Sequence, residues 1–185
     1  MAEPTINATE IKLEDFFTKI LSSIGNITDQ QIAELLKKGN QTIAVAESLT
    51  GGLISARLSS ISGSSAYFIG GIVCYQTRIK VTEVGVPAAV ISQNGVVSKE
   101  TAIAMADGIR KKFRAEIGIG ATGAAGPIAQ PPAPVGRIYI ALSAENGTEW
   151  KEFNLQGTRE EIREKASQAA LGMLWLHLGG NEILG

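Results

Sequence analysis

The run Thr42-Ile43-Ala44-Val45-Ala46 is short, apolar and uninterrupted, and Glu47-Ser48-Leu49-Thr50-Gly51-Gly52 follows it at once. So short a run fits a strand buried on both faces better than a helix. Gly51 opens a second stretch, to about Ser60, that has the composition of a helix through Leu53, Ile54, Ala56, Arg57 and Leu58. A buried strand running straight into a glycine turn and a helix is the opening unit of a layered α/β fold.

The rest of the chain agrees. Before the strand, Thr28 or Asp29 can cap a helix carrying Ile32, Leu35 and Leu36 at helical spacing, with Gly39 to stop it. Phe68–Tyr75 reads as a second strand, and its Gly70-Gly71 pair suggests a bulge or a close backbone approach. Ser98 caps a helix from Lys99 to about Phe113 whose inner stripe is Ala102, Ala106, Ile109 and Phe113. Residues 115–122 form a third strand that again ends in a glycine-rich turn. Segments 136–144 and 148–155 flank Glu145-Asn146-Gly147, a hairpin signal. Thr158-Arg159-Glu160-Glu161 is a capping box that starts a long helix, with Ile162, Ala166, Ala169, Met173 and Leu174 on one face. The expected fold is a three-layer α/β/α sandwich around a mixed central sheet. Residues 1–26, with a helix from about Ile11 to Ile24, read as an extension, and 27–185 as the domain.

Composition limits the chemistry. The net charge is -1 and 5% of residues are aromatic, so neither a basic stripe nor base-stacking platforms point to a nucleic-acid partner. No apolar run approaches the roughly 20 residues of a membrane span. The first 20 residues lack a basic start and an apolar core and carry Glu3, Glu10, Glu14 and Asp15, so a cytoplasmic location is expected. Cys74 is the one cysteine and His177 the one histidine, which leaves no internal disulfide and few routes to a soft-metal site. No metal and no cofactor is expected.

Two strand exits carry hydroxyls and glycines: Ser48–Gly52 and Thr122-Gly123-Ala124-Ala125-Gly126-Pro127. Ligands of open α/β sheets collect outside the carboxyl ends of strands. Neither stretch is a P-loop or a dinucleotide fingerprint, because the required lysine or glycine spacing is missing. Ser48 then has three readings, as a helix cap, as part of a phosphate cradle, or as a nucleophile. As a nucleophile it needs a base. His177 lies in the apolar Leu-Trp-Leu-His-Leu run near the end of the last helix and suits a packed or surface role. Glu47, if still on the strand, points to the opposite face from Ser48. Lys80 remains, since burial can lower a lysine pKa enough for general-base work, but spacing equally allows a solvated surface lysine. Tyr75 can offer a phenol to a site or be a half-buried strand end, and Cys74 reads as core.

Several stretches, in order, resemble the CinA C-terminal domain family. They are AESLTGG, the GGIVCY strand followed by Lys80, VGVP at 84–87, NGVVSKETAIAMA at 94–106, GATGAAGP at 120–127, PVGRIYIAL at 134–142 and FNLQGTREEIR at 153–163. The likeness covers about residues 28–178. It implies an α/β/α sandwich, a homodimer, and hydrolysis of the carboxamide of nicotinamide mononucleotide by a metal-free serine–lysine mechanism. Matched by motif, Ser48 is the nucleophile, Lys80 the general base and later proton donor, Tyr75 the strand-end tyrosine, and Thr122 a support for the oxyanion or the pair. The physical reading fits: N–H groups of Thr50, Gly51 and Gly52 at a helix start can stabilise the oxyanion, and the turn with Gly123, Ala125 and Gly126 gives the ring and phosphate room to approach the backbone. Arg159 and Arg163 fall in the family's G-x-R-x-x-x-R segment, where either can face the site or the phosphate. The chain departs from the family's usual pattern at Leu49, at Gln76-Thr77-Arg78 and at Ile128–Pro132. The implied partner is a small pyridine nucleotide. The alternative is an inactive relative that binds such a nucleotide or another partner. Phosphate transfer is disfavoured, because no P-loop lysine or carboxylate pair for magnesium is present.

Overall fold

The computed structural model describes residues 29–129 and 133–180 of the 185. The extension at 1–26 and its expected helix lie outside the described residues.

Helix α1 (Asp29–Lys38) leads into β1 (Ile43–Glu47), α2 (Leu53–Ser59) and β2 (Phe68–Val73). Then come a short α3 (Thr77–Ile79) continued by a π-helical turn at Lys80–Val84, α4 (Ala88–Asn94), α5 (Lys99–Phe113), β3 (Ile117–Gly123), β4 (Arg137–Ala144), β5 (Gly147–Asn154) and α6 (Arg159–His177). The sheet order is β2-β1-β3-β4-β5. β1 pairs in parallel with both β2 and β3, whereas β3–β4 and β4–β5 are antiparallel. This is the mixed sheet that the sequence predicts. The carboxyl ends of β1, β2 and β3 therefore share one edge.

Strand alternation divides the core into two layers. Ile43 and Val45 of β1, Ile117 and Ile119 of β3, and Ile138, Ile140 and Leu142 of β4 pack against α1, α2 and α6. Ala44 and Ala46 face the other side, with Met105 and Ile109 of α5. On that side β3 presents Gly118 and Gly120. A Cβ at Gly118 would stand 2.3 Å from the Ala106 carbonyl oxygen, and one at Gly120 would stand 2.4 Å from that of Ala102. The alternation of isoleucine and glycine in Ile117–Gly120 thus builds a wall on one face and a seat for α5 on the other.

A bulge is present but one residue earlier than Gly70-Gly71, at Ile69, since Ile43 pairs with Phe68 and Ala44 with Gly70. Ser98 caps α5 by accepting from the Thr101 amide, and the capping box at Thr158 and Glu161 is complete. α1 ends at Lys38, just before Gly39, as expected, and Asn40 takes the left-handed conformation. Two local expectations shift. The β4–β5 turn tightens to Glu145-Asn146, because Ala144 pairs with Gly147. Residues 77–94 hold helical turns that were not predicted, since segments this short carry too few residues for a hydrophobic period to show. Among the described residues, no helix is long and apolar enough to cross a membrane.

Candidate active site

Ser48 is the first residue past β1 and stays tied to both neighbouring strands. Its N–H donates to the Ala121 carbonyl at 2.9 Å, and the Cys74 N–H donates to the Glu47 carbonyl at 2.8 Å. Two flanking strands therefore fix the backbone that presents Ser48. Its side chain falls on the α5 side of the sheet, opposite to Glu47, as alternation requires.

Lys80 comes to Ser48 because the chain folds back after β2. The turn at Thr77–Val84 reverses direction, and Val84 and Val86 anchor it in the core beneath α5. A π-helical turn at this place is a familiar mark of a functional segment. Lys80 is fully buried. Its Nζ lies 2.9 Å from Ser48 Oγ, 2.7 Å from the Cys74 carbonyl oxygen and 3.5 Å from that of Tyr75. Desolvation pulls the Lys80 ammonium below its ordinary value, against an opposing pull from the Cys74 thiol. Burial in turn pushes the Cys74 thiol up. As an ammonium Lys80 donates to all three oxygens; a neutral amine in the same place would keep two N–H groups on the carbonyls and turn its lone pair to the serine hydroxyl. The solvated-surface reading of Lys80 is excluded by its burial.

Ser48 lines a cavity of about 230 Å³, with Lys80 buried behind it. Tyr75, Gln76 and Thr77 form one wall, Gly123–Gly126 another, and Val96, Leu49, Ile128 and Arg159 complete it. Arg159 spans two of these walls, since its Nη1 donates to the Gly126 carbonyl and its Nη2 to the Tyr75 hydroxyl, both at 2.5 Å. Arg163 does not line the cavity. Its Nε donates to the Leu49 carbonyl and its Nη2 to that of Thr50, both at 3.0 Å.

Two of the three amides expected to serve an oxyanion at the start of α2, those of Gly51 and Gly52, are already engaged within the protein. The Glu47 carboxylate, fully buried, accepts from Gly52 N at 3.0 Å, Ile54 N at 3.1 Å, Ser55 N at 2.9 Å and Ser55 Oγ at 2.6 Å. The Gly51 N–H donates to the Ser48 carbonyl at 3.2 Å. The amides of Gly51 and Gly52 are thus committed, and none of Thr50, Gly51 and Gly52 lines the cavity. Thr50 is buried with its hydroxyl unpaired. Thr122 is buried and its hydroxyl donates to the Val96 carbonyl at 2.9 Å, so it props the wall at Val96 and makes no hydrogen bond to Ser48 or Lys80.

His177 ends α6, whose 19 residues put it about 27 Å from Arg159 at 1.5 Å per residue, and its Nδ1 sits 3.4 Å from Glu149 Oε1. It cannot serve Ser48. Cys74 is buried, as its place on the strand predicts. Sequence reasoning missed the capping role of Glu47 and the wall at Val96. An acidic residue just ahead of a glycine-led helix was a usable signal for the first; nothing local marked the second.

Comparison with known proteins places the chain in a family and agrees with its fold. The family model of the CinA C-terminal domain matches residues 26–178. A protein of Desulforamulus reducens with a competence-damage inducible name is 43% identical over 167 residues, which is 90% of this chain and 41% of that protein. A CinA-like protein of Koribacter versatilis is 40% identical over 175 residues, 94% of this chain and 42% of the relative. The chain thus spans about four-tenths of the length of these curated relatives. The crystal structure of the competence/damage inducible protein CihA from Agrobacterium tumefaciens superimposes with a TM-score of 0.77 at 34% identity, covering 82% of this chain and 93% of that one. A CinA superfamily protein from Klebsiella pneumoniae does so with a TM-score of 0.79 at 25% identity, covering 82% and 96%. From the family match and these identities, the chain belongs to the CinA C-terminal domain family.

Proposed function

We propose that the chain is a serine–lysine amidohydrolase that converts nicotinamide mononucleotide and water to nicotinate mononucleotide and ammonia. The observation that carries this reading is the 2.9 Å approach of a fully buried Lys80 Nζ to the Oγ of Ser48, which lines the cavity.

Each step follows from that contact. Neutral Lys80 takes the Ser48 hydroxyl proton as Oγ bonds to the carboxamide carbon. The tetrahedral oxyanion collapses, the C–N bond breaks, and the Lys80 ammonium returns its proton to the departing nitrogen, which leaves as ammonia. Water then attacks the Ser48 ester and gives a proton to Lys80. The C–Oγ bond breaks, Ser48 regains its proton, and nicotinate mononucleotide departs. The carbonyls of Cys74 and Tyr75 hold Lys80 aimed at Oγ in both protonation states. Arg159, the one cationic side chain among the described residues that line the cavity, suits the phosphate of a mononucleotide. The homodimer implied by the resemblance belongs to the same proposal, and sedimentation of the purified chain tests it.

A second reading has its own support. Gln76, Thr77 and Ile128, three departures from the usual family pattern, all line the cavity. An inactive relative that only binds the nucleotide would alter just these walls. Incubation with nicotinamide mononucleotide separates the two. Equal amounts of ammonia and nicotinate mononucleotide support the amidase, and saturable binding without either product supports the binding module.

A further inference from the structure

Arg163 lies one helical turn beyond Arg159 on α6 and is oriented differently. Its guanidinium reaches beneath the nucleophile turn and donates to the carbonyls of Leu49 and Thr50, both at 3.0 Å. It forms no ion pair with any carboxylate among the described residues. Gly51 is shaped to it: its φ is +60°, and a Cβ there would stand 3.0 Å from Arg163 Nη2.

The carbonyls it holds matter to Ser48. The Thr50 carbonyl shares a peptide unit with the Gly51 N–H, which closes the turn by donating to the Ser48 carbonyl at 3.2 Å. Carbonyl and N–H are conjugated and point opposite ways in a trans peptide, so a cation at one end strengthens the donor at the other. The strand bonds of Ser48 fix the start of this stretch, and the Glu47 carboxylate fixes its end at Gly52 and Ile54. The middle is held by Arg163, from a separate helix.

We propose that Arg163 is a positioning residue that clamps the Leu49 and Thr50 carbonyls and so keeps the Ser48 hydroxyl within reach of Lys80. The proposal rests on Ser48 being the nucleophile of a serine–lysine pair. It assigns Arg163 no contact with substrate, in contrast to Arg159.

The test follows covalent labelling of Ser48 by a fluorophosphonate, together with kcat and KM for ammonia release, in wild type, Arg163→Ala and Arg163→Lys. A misplacement of about 1 Å costs roughly 100-fold, so Arg163→Ala should lose about that factor in labelling rate and kcat with KM changed less than about threefold. Added guanidinium ion should restore part of both rates. Arg163→Lys should fall between, since an ammonium does not supply the planar fork that meets two carbonyls. A raised KM with labelling and kcat intact would make Arg163 a substrate contact and overturn the proposal. So would losses that follow the unfolded fraction and resist guanidinium. A wild type labelled at Ser48 that releases no ammonia refutes the substrate assignment, and the labelling rates still decide Arg163. A wild type that is not labelled at Ser48 overturns both.

Discussion

Replacing Glu47 by glutamine keeps its shape and removes its charge, and the structure allows the cost to be worked out bond by bond. Oε2 accepts from the amides of Gly52 and Ile54, and Oε1 from the amide and hydroxyl of Ser55. A glutamine must place its NH2 group at one of these oxygens. The cheaper choice is Oε1, because the Ser55 hydroxyl can rotate to accept from it. The half-buried Ser55 N–H then loses its acceptor, at about 1–3 kcal/mol. The two bonds left at Oε2 lose their charge assistance, at about 1 kcal/mol each by the difference between charged and neutral hydrogen bonds. The sum is a loss of about 3–5 kcal/mol, since these figures are already net of desolvation. Urea unfolding at pH 7, followed by circular dichroism, should show a lower midpoint with an unchanged slope. The residual fold should also label Ser48 more slowly, because the far end of its turn is released. A Glu47→Gln variant within about 1 kcal/mol of wild type, inside ordinary surface-mutation scatter, would refute the reasoning. The amides at the start of α2 would then be free for an oxyanion after all.

The remaining predictions concern Lys80 and Arg159. The Lys80 pKa is lower in the fold than in the unfolded chain. The unfolded state therefore binds more protons between those two values, and stability rises with pH through that window. Burying Lys80 thus costs stability in full below the folded pKa and none above about 10.4, at about 1.4 kcal/mol per unit of separation. Lys80→Met should melt higher than wild type at pH 7, with an advantage that shrinks toward about pH 10 in thermal scans. Arg159→Ala should raise KM for nicotinamide mononucleotide about 10- to 100-fold, from loss of charge-assisted bonds of about 1.5–3 kcal/mol, and should affect the unphosphorylated nucleoside far less. Equal effects on both substrates would remove Arg159 from the phosphate.

The strands and long helices were legible because each carries its own signal. Ile43–Ala46 is continuously apolar, Ser98 and Thr158 are caps, and Ile162 to Leu174 keep one helical face. Ser48 was legible as a residue at a strand exit but not as a nucleophile, since a cap and a nucleophile share the same flanking glycines. Lys80 was the harder residue. Its burial depends on Val84 and Val86 packing beneath Met105 and Ile109, some 20 residues further along the chain, and no local pattern encodes that contact. Resemblance pointed to Lys80; packing shows how it is desolvated. Arg159 and Arg163 could not be told apart from sequence, because four-residue spacing puts both on one helix face. What separates them is where each reaches, Arg159 across the cavity mouth and Arg163 beneath the turn.

The central claim is that a buried, neutral Lys80 deprotonates Ser48. The pH dependence of kcat/KM for ammonia release from nicotinamide mononucleotide tests it most directly, read in wild type and in Lys80→Met. The account predicts a limb that rises with pH, has its midpoint below the ordinary lysine value of about 10.4, and vanishes with the residual activity of Lys80→Met. A wild-type profile flat from about pH 6 to 10, or the same limb persisting in Lys80→Met, would contradict it.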